Sequence, residues 1–223
     1  MFITFEGIEG CGKSTQIKKL KKYLVAKGYD VVLTREPGGT PIADKIRKIL
    51  VDATNKEMVP LTEVLLYYAS RAQHLHELII PARQQGKIVL CDRFNDSSLA
   101  YQGYARGLEP KLLSVLTELV VTENKPNLTF ILDMPATEGL KRATNRAATL
   151  KPEDREDRFE QEAIHFHEAV RNGFLELAKK EPERFVIINA ARSIDDIFED
   201  IKTTTSNLLP LSHDARRSTH NET

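Results

Sequence analysis

The chain has 223 residues, with 32 basic and 32 acidic side chains and a formal net charge of zero. This length suits one α/β domain, or one domain with a small insertion. At 41% hydrophobic and 29% charged, the composition excludes a disordered or fibrous chain. The charge balance argues against a nucleic-acid surface, which needs a clustered basic excess, but leaves room for one local phosphate site. Cys11 and Cys91 stand far apart and outside any CxxC pattern, so neither a disulfide framework nor a zinc site is expected. No apolar run approaches the roughly 18 residues of a membrane span. Phe2–Glu6 follows the first methionine without a basic leader. It reads as a strand and not a signal peptide, and a reducing cytoplasm is the expected compartment.

Phe2–Glu6 leads into a glycine-rich turn, and residues 14–27 carry Ile17, Leu20 and Leu24 on one helical face. Val31-Val32-Leu33 marks a second strand within 29–34. A short helix is predicted over 42–50, with Ile42, Ile46 and Ile49 on its apolar side. A long helix over 61–85 shows Val64, Tyr68, Ala72, Leu75 and Ile79 at steps of three and four. Ile88-Val89-Leu90-Cys91 makes a third strand within 87–92, and a helix is predicted over 110–122. Leu128–Asp133 reads as the fourth strand. A charged helical stretch and a helix over about 159–180 follow, then a fifth strand at Phe185–Asn189. Ser193 with Asp196 three residues on is a capping-box pattern that opens the last helix. Five strands separated by helices predict an α/β fold with a five-stranded parallel sheet flanked by helices. Residues 143–157 are charge-dense, contain Pro152 and lack an apolar stripe. They read equally as a flap over a cleft or as a solvated loop. One domain over 1–209 is expected, with a polar, disordered tail at 210–223.

Gly7-Ile8-Glu9-Gly10-Cys11-Gly12-Lys13-Ser14 fits G-x4-G-K-[ST] between the first strand and the first helix. The glycines let backbone N–H groups converge on phosphate oxygens, and the helix N-terminus adds its dipole. Lys13 can reach the β- and γ-phosphates of a nucleotide, and Ser14 can ligate Mg²⁺. This motif makes the chain a P-loop NTPase in fold and leaves its acceptor open. A guanine-reading N-K-x-D is missing, since Asn124-Lys125-Pro126-Asn127 lacks the acid and precedes a strand. The length leaves no room for the coupling domain of a motor. A kinase needs a second anion site, and Arg35-Glu36-Pro37-Gly38-Gly39-Thr40 and Asp92-Arg93-Phe94 both follow strands. Asp92 is placed to organise Mg²⁺ or its water, and Arg93 can clamp an acceptor phosphate. In open α/β sheets, ligands bind at such carboxyl ends.

Taken with Ser97-Ser98-Leu99-Ala100-Tyr101-Gln102-Gly103, and with Thr15 closing the loop, these segments resemble the thymidylate kinase family from residue 1 to about 207. The resemblance implies phosphorylation of dTMP to dTDP in dTTP synthesis, with ATP as donor, Mg²⁺ as cofactor and a homodimeric assembly. It implies that Gly7, Ile8, Glu9, Gly10, Cys11, Gly12, Lys13, Ser14 and Thr15 surround the ATP phosphates, and that Ser14 and Asp92 serve the metal. Tyr67 would stack on thymine and Arg71, one turn on, would bond a base carbonyl. Tyr68 lies on the apolar stripe, so Tyr67 is the expected pocket residue. Ser98 and Gln102 would read the base edge, and Tyr101 would crowd a ribose 2′-hydroxyl. Arg35, Pro37 and Arg93 would border the dTMP phosphate, with Glu9 meeting the sugar.

The family has two forms, and one carries its transition-state arginine in the loop after the acid. Gly10 occupies that position here, so the resemblance is to the form that supplies the arginine from a short lid, about 142–158. The order of candidates is Arg146, then Arg155, with Arg158 anchoring the far hinge and Arg142 also in the segment. Catalysis is thus expected from Lys13, Glu9, Arg93 and Arg146 or Arg155. The rival readings are another nucleotide kinase and a nucleotide-binding module without turnover. His74-x-His76 and His165-x-His167 point apart on a helix and are not expected to chelate. Oxidation or alkylation of Cys11 is expected, as a weaker reading, to block ATP binding. An inert small residue there is the competing one.

Overall fold

The computed structural model of the protein describes residues 1–149 and 158–209. The expected tail at 210–223, and residues 150–157 of the expected lid with Arg155 among them, lie outside the described residues.

Five strands form one parallel sheet in the order β2-β3-β1-β4-β5: β1 Phe2–Glu6, β2 Val31–Arg35, β3 Ile88–Asp92, β4 Leu128–Asp133 and β5 Phe185–Asn189. Nearly every residue of β1, β3 and β4 is buried, as a parallel sheet covered on both faces requires. On one face Ile3 and Phe5 pack with Ile17, Leu20 and Leu24 of α1 (Lys13–Ala26) and with Phe166, Val170 and Phe174 of α8 (Ile164–Lys180). On the other, Phe2, Val89 and Cys91 meet Leu75 and Ile79. Each such side chain contributes about 1.5–3 kcal/mol of transfer free energy. The last helix, α9 (Ile194–Leu208), is capped as predicted, with Ser193 Oγ accepting from the Asp196 N–H at 3.1 Å.

Three expectations are corrected. The predicted 61–85 helix runs as α3 (Pro60–His74), a π-helical turn at Leu75–Ile79 and α4 (Ile80–Gln84). Its inner stripe holds Val64, Tyr68, Leu75 and Ile79, but Ala72 is exposed and Arg71 is buried in its stead. The helix turns this cation inward because a buried carboxylate, Glu36, receives it. In α2 (Pro41–Val51), Ala43 and Leu50 face the core while Ile42 and Ile49 are exposed. Of the stripe Ile42/Ile46/Ile49, Ile46 is half-buried, and Ile42 and Ile49 stay exposed among the described residues. Finally, the helix predicted from 159 begins at Ile164. Phe159 is instead held in a turn by its edge contact with Tyr101, ring centroids 5.4 Å apart.

The register sets Arg35 beside Asp92 and Phe5 beside Asp92. The carboxyl ends of β2, β3 and β1 therefore open at one level. The loops that follow them, together with the connection from α7 (Ala136–Ala147) toward α8, enclose a cleft of about 340 Å³.

Candidate active site

The loop after β1 reaches α1 through Gly12, whose φ of +96° lies in the left-handed region and whose place at the helix N-cap carries no side-chain cap. The first N–H groups of α1 are thereby left to an anion. A Cβ on Gly10 would stand 2.0 Å from the carbonyl oxygen of Gly139 in α7. Loop and helix touch backbone to backbone there, and a side chain at Gly10 cannot be accommodated. Lys13 Nζ donates to the carbonyls of Gly7 (3.0 Å) and Ile8 (2.8 Å), which places its ammonium over the loop. Ser14 Oγ donates to Asp92 Oδ2 at 2.7 Å. A hydroxyl and a carboxylate from two elements thus share one point beside the phosphate loop.

Glu9, at the tip of the phosphate loop, is held by three side chains. Arg93 Nη2 (2.9 Å) and the Tyr101 hydroxyl (2.5 Å) donate to its Oε1, and His167 Nδ1 lies 3.2 Å from its Oε2. Burial works against the charged carboxylate, but Arg93, His167 and Lys13 outweigh it and hold Glu9 well below the usual carboxylate range. Arg93 has φ +69°, rare for a residue with a side chain. Its conformation is enforced by Glu6, which accepts from the Phe94 N–H (2.7 Å) and the Ser97 hydroxyl (2.6 Å) directly behind it. Burial first, and the nearby charge of Asp96 second, push Glu6 up to about 8.

Across the cleft, Arg71 is buried and spread over four partners. Nε donates to Glu36 Oε2 (2.7 Å), Nη1 to Asn95 Oδ1 (3.2 Å), and Nη2 to the Phe94 carbonyl (3.1 Å) and Ser98 Oγ (3.0 Å). Glu36 is steadied from behind by His74 Nδ1 at 3.0 Å, whose Nε2 meets Thr34 Oγ1 at 2.7 Å. Tyr67 lines the cleft, half-buried, while Tyr68 is in the core with its hydroxyl on Thr117 at 2.8 Å. Burial, reinforced by the negative charge of Glu63, raises the Tyr67 phenol above its ordinary range.

Of the predicted residues, Glu9, Gly10, Lys13 and Ser14 line the cleft from the loop, and Arg35, Pro37, Tyr67, Arg71, Asp92, Arg93, Tyr101, Gln102 and Arg146 from elsewhere. Ile8 and Cys11 turn their side chains into the core. Ser98 stands one layer back, behind Arg71. Cys11 is only 1% exposed, which contradicts the alkylation reading: a thiol without access to solvent does not meet the reagent. Among the lid candidates, Arg142 pairs with Glu138 one turn before it on α7, and Arg158 turns to Glu63 and the Leu50 carbonyl. Arg146 is 61% exposed, pairs with Glu160 at 3.1 Å and lines the cleft.

The sequence reading missed Arg47, which lines the cleft and donates to the Pro37 carbonyl at 2.8 Å. It also missed Glu36, Glu63 and His167. Glu36 was legible as an acid between two motif residues. His167 gave no signal, because its partner Glu9 lies 158 residues away. In each histidine pair one member, His74 or His167, is buried and the other exposed.

The cleft gathers cations around the phosphate loop and an aromatic, hydrogen-bonding pocket opposite. Comparisons with known proteins identify the family. Residues 5–201 match the model of the family described as thymidylate kinase. A thymidylate kinase of Geotalea uraniireducens is 53% identical over 87% of this chain and 91% of its own length. That of Syntrophotalea carbinolica is 52% identical over 94% and 97%. A crystal structure of thymidylate kinase from Ehrlichia chaffeensis superposes with a TM-score of 0.73 at 36% identity, covering 92% of this chain and 98% of that one. The chain belongs to the thymidylate kinase family.

Proposed function

We propose that the chain transfers the γ-phosphoryl group of ATP to the phosphate of dTMP, yielding dTDP for dTTP synthesis. The observation that carries this reading is one cleft that joins the phosphate loop to Arg35 and Arg93 and, beyond them, to Tyr67 and Arg71. Donor and acceptor phosphates brought together there need in-line alignment and charge neutralisation. No catalytic base is needed, because the acceptor oxygen is already anionic. Lys13 and the open N-terminus of α1 hold the donor phosphates, and Arg93 with Arg35 the acceptor phosphate. Glu9, fixed from three sides, presents a carboxylate to the acceptor's sugar, and Tyr101, with its hydroxyl on Glu9, is the residue assigned to crowd a ribose 2′-hydroxyl. Tyr67 offers its ring to the base.

The hard oxygens of Ser14 and Asp92 suit Mg²⁺ and would hold it directly or through water. Bound there, the ion would neutralise charge on the donor phosphates. The collision that a side chain at Gly10 would meet in α7 supports delivery of the transition-state cation from the lid side. Arg146, at the end of α7, is the described residue placed for it. Ile42 and Ile49 of α2, Leu61 and Leu65 of α3 and Leu119 of α6 (Pro110–Val120) are exposed. These apolar residues support a homodimer, and the absence of a disulfide pattern fits a reducing cytoplasm. No described helix is long and apolar enough to cross a membrane. The test is ADP release with ATP and, in turn, dTMP, dUMP, dCMP and thymidine. Turnover highest with dTMP is expected. Absence of dTMP-dependent ADP release overturns the reading in favour of a binding module.

A further inference from the structure

Glu63 lies outside the phosphate chemistry and is nonetheless only 1% exposed. Its Oε1 accepts from Gln102 Nε2 at 2.8 Å and from Arg106 Nε at 3.4 Å; its Oε2 accepts from Arg106 Nη2 at 3.4 Å and from Arg158 Nη2. Arg106 also pairs with Glu162 at 2.6 Å, and Arg158 with the Leu50 carbonyl at 3.0 Å. Both carboxylate oxygens are therefore fixed in direction. A carboxylate only accepts, so the group that Gln102 turns toward it must be the NH₂ end of its amide; the opposite flip would set two acceptors against each other. Gln102 is buried, lines the cleft, and its Oε1 has no partner among the described residues.

We propose that Glu63 is a positioning residue that locks the Gln102 amide so that an acceptor oxygen, and not a donor, faces the substrate base. This rests on the dTMP reading above. Arg71 presents only donors, and its four bonds leave one Nη1 hydrogen for the cleft. A donor from Arg71 beside an acceptor from Gln102 matches an imide edge, a carbonyl next to a ring N–H. It is the inverse of a cytosine edge, an amino group next to a bare ring nitrogen. Glu63 thereby makes the pocket selective for the imide pyrimidine. The same carboxylate holds Arg158, so the base reader and the far side of the lid share one anchor.

The experiment compares kcat/KM for dTMP and 5-methyl-dCMP, which differ only at this edge. In Glu63→Gln the amide at 102 can flip, and the dTMP preference is expected to fall by about tenfold or more, the scale of one misplaced polar contact in a specificity pocket. Arg158→Met, which leaves Glu63 in place, lowers both acceptors alike and keeps the ratio. If Glu63→Gln is poorly folded, the charge-balanced double variant Glu63→Gln/Arg158→Met serves instead, with the same loss of preference expected. A ratio unchanged while both activities fall in parallel overturns the proposal and leaves Glu63 a structural anchor. A ratio that falls equally in Arg158→Met overturns it as well, by moving the effect to the lid. Wild-type protein without dTMP turnover overturns the functional reading itself, an outcome distinct from both.

Discussion

Glu36 tests how the base side of the cleft is built. Its side chain is 2% exposed and that of Arg71 is 1% exposed, with 2.7 Å between Oε2 and Nε. Burial alone would lower the Arg71 pKa, but Glu36 and Tyr68 outweigh it and raise it. In Glu36→Leu the guanidinium keeps Asn95, the Phe94 carbonyl and Ser98, all neutral, and loses its one carboxylate partner among the described residues. His74 Nδ1 loses its partner too. Breaking a buried ion pair from one side costs about 3–5 kcal/mol. At about 2–4 °C per kcal/mol for a chain of this size, Tm falls by on the order of 6–20 °C. The chain has no tryptophan, so urea and thermal unfolding are followed by far-ultraviolet circular dichroism. With Arg71 as the proposed base-facing donor, KM for dTMP is expected to rise in the same variant while KM for ATP does not. Arg35→Ala is the comparison. Arg35 and Asp44 are 54% and 45% exposed and 3.5 Å apart, a surface pair worth about 0–1 kcal/mol. Its Tm should stay within a few degrees of wild type on the same scale, while KM for dTMP rises. A Glu36→Leu loss below about 1 kcal/mol, or equal rises in both KM values, refutes the reasoning.

Three further expectations rest on single side chains. Arg146→Ala removes an exposed pair and leaves stability nearly unchanged, but in the proposed transition-state role its loss lowers kcat by about 10³-fold with little change in KM for dTMP; near-normal kcat would move the role to another lid arginine. Glu6, raised from an ordinary 4.5 to about 8 chiefly by burial, binds its proton more tightly in the folded chain. Its contribution to stability is therefore full below about 4.5 and is lost as pH rises toward 8. The urea midpoint of wild type should fall between pH 6 and 8.5 more than that of Glu6→Gln, and parallel profiles would exclude Glu6 as the source. Glu9, held low, acts with the opposite sign, and its contribution is lost as pH falls below about 4.5.

The parts of the fold written in short, local patterns are legible in the amino-acid sequence. Leu128–Asp133 and Phe185–Asn189 are strands at the residues their apolar runs mark, and Ser193 caps its helix as its spacing implies. The phosphate loop is a contiguous motif whose chemistry depends on backbone N–H groups, so its spacing alone identifies it. Helix faces are less legible. Periodicity ranks residues by apolarity, so it selects Ala72 over Arg71 and puts Ile42 and Ile49 inward. The deciding facts are a buried acid 35 residues away and an outer face left exposed among the described residues.

By itself, then, the sequence determined the succession of strands along the chain, the phosphate loop, the family, and most of the residues that line the cleft beside that loop. The tertiary structure alone decided which charges hold those residues in place. Glu9 meets His167 across 158 positions, Glu63 meets Gln102 across 39 and Glu36 meets Arg71 across 35. A charged or amide side chain is stable in the interior only opposite a partner that satisfies it. That partner is set by how strands and helices pack, and no local spacing records it.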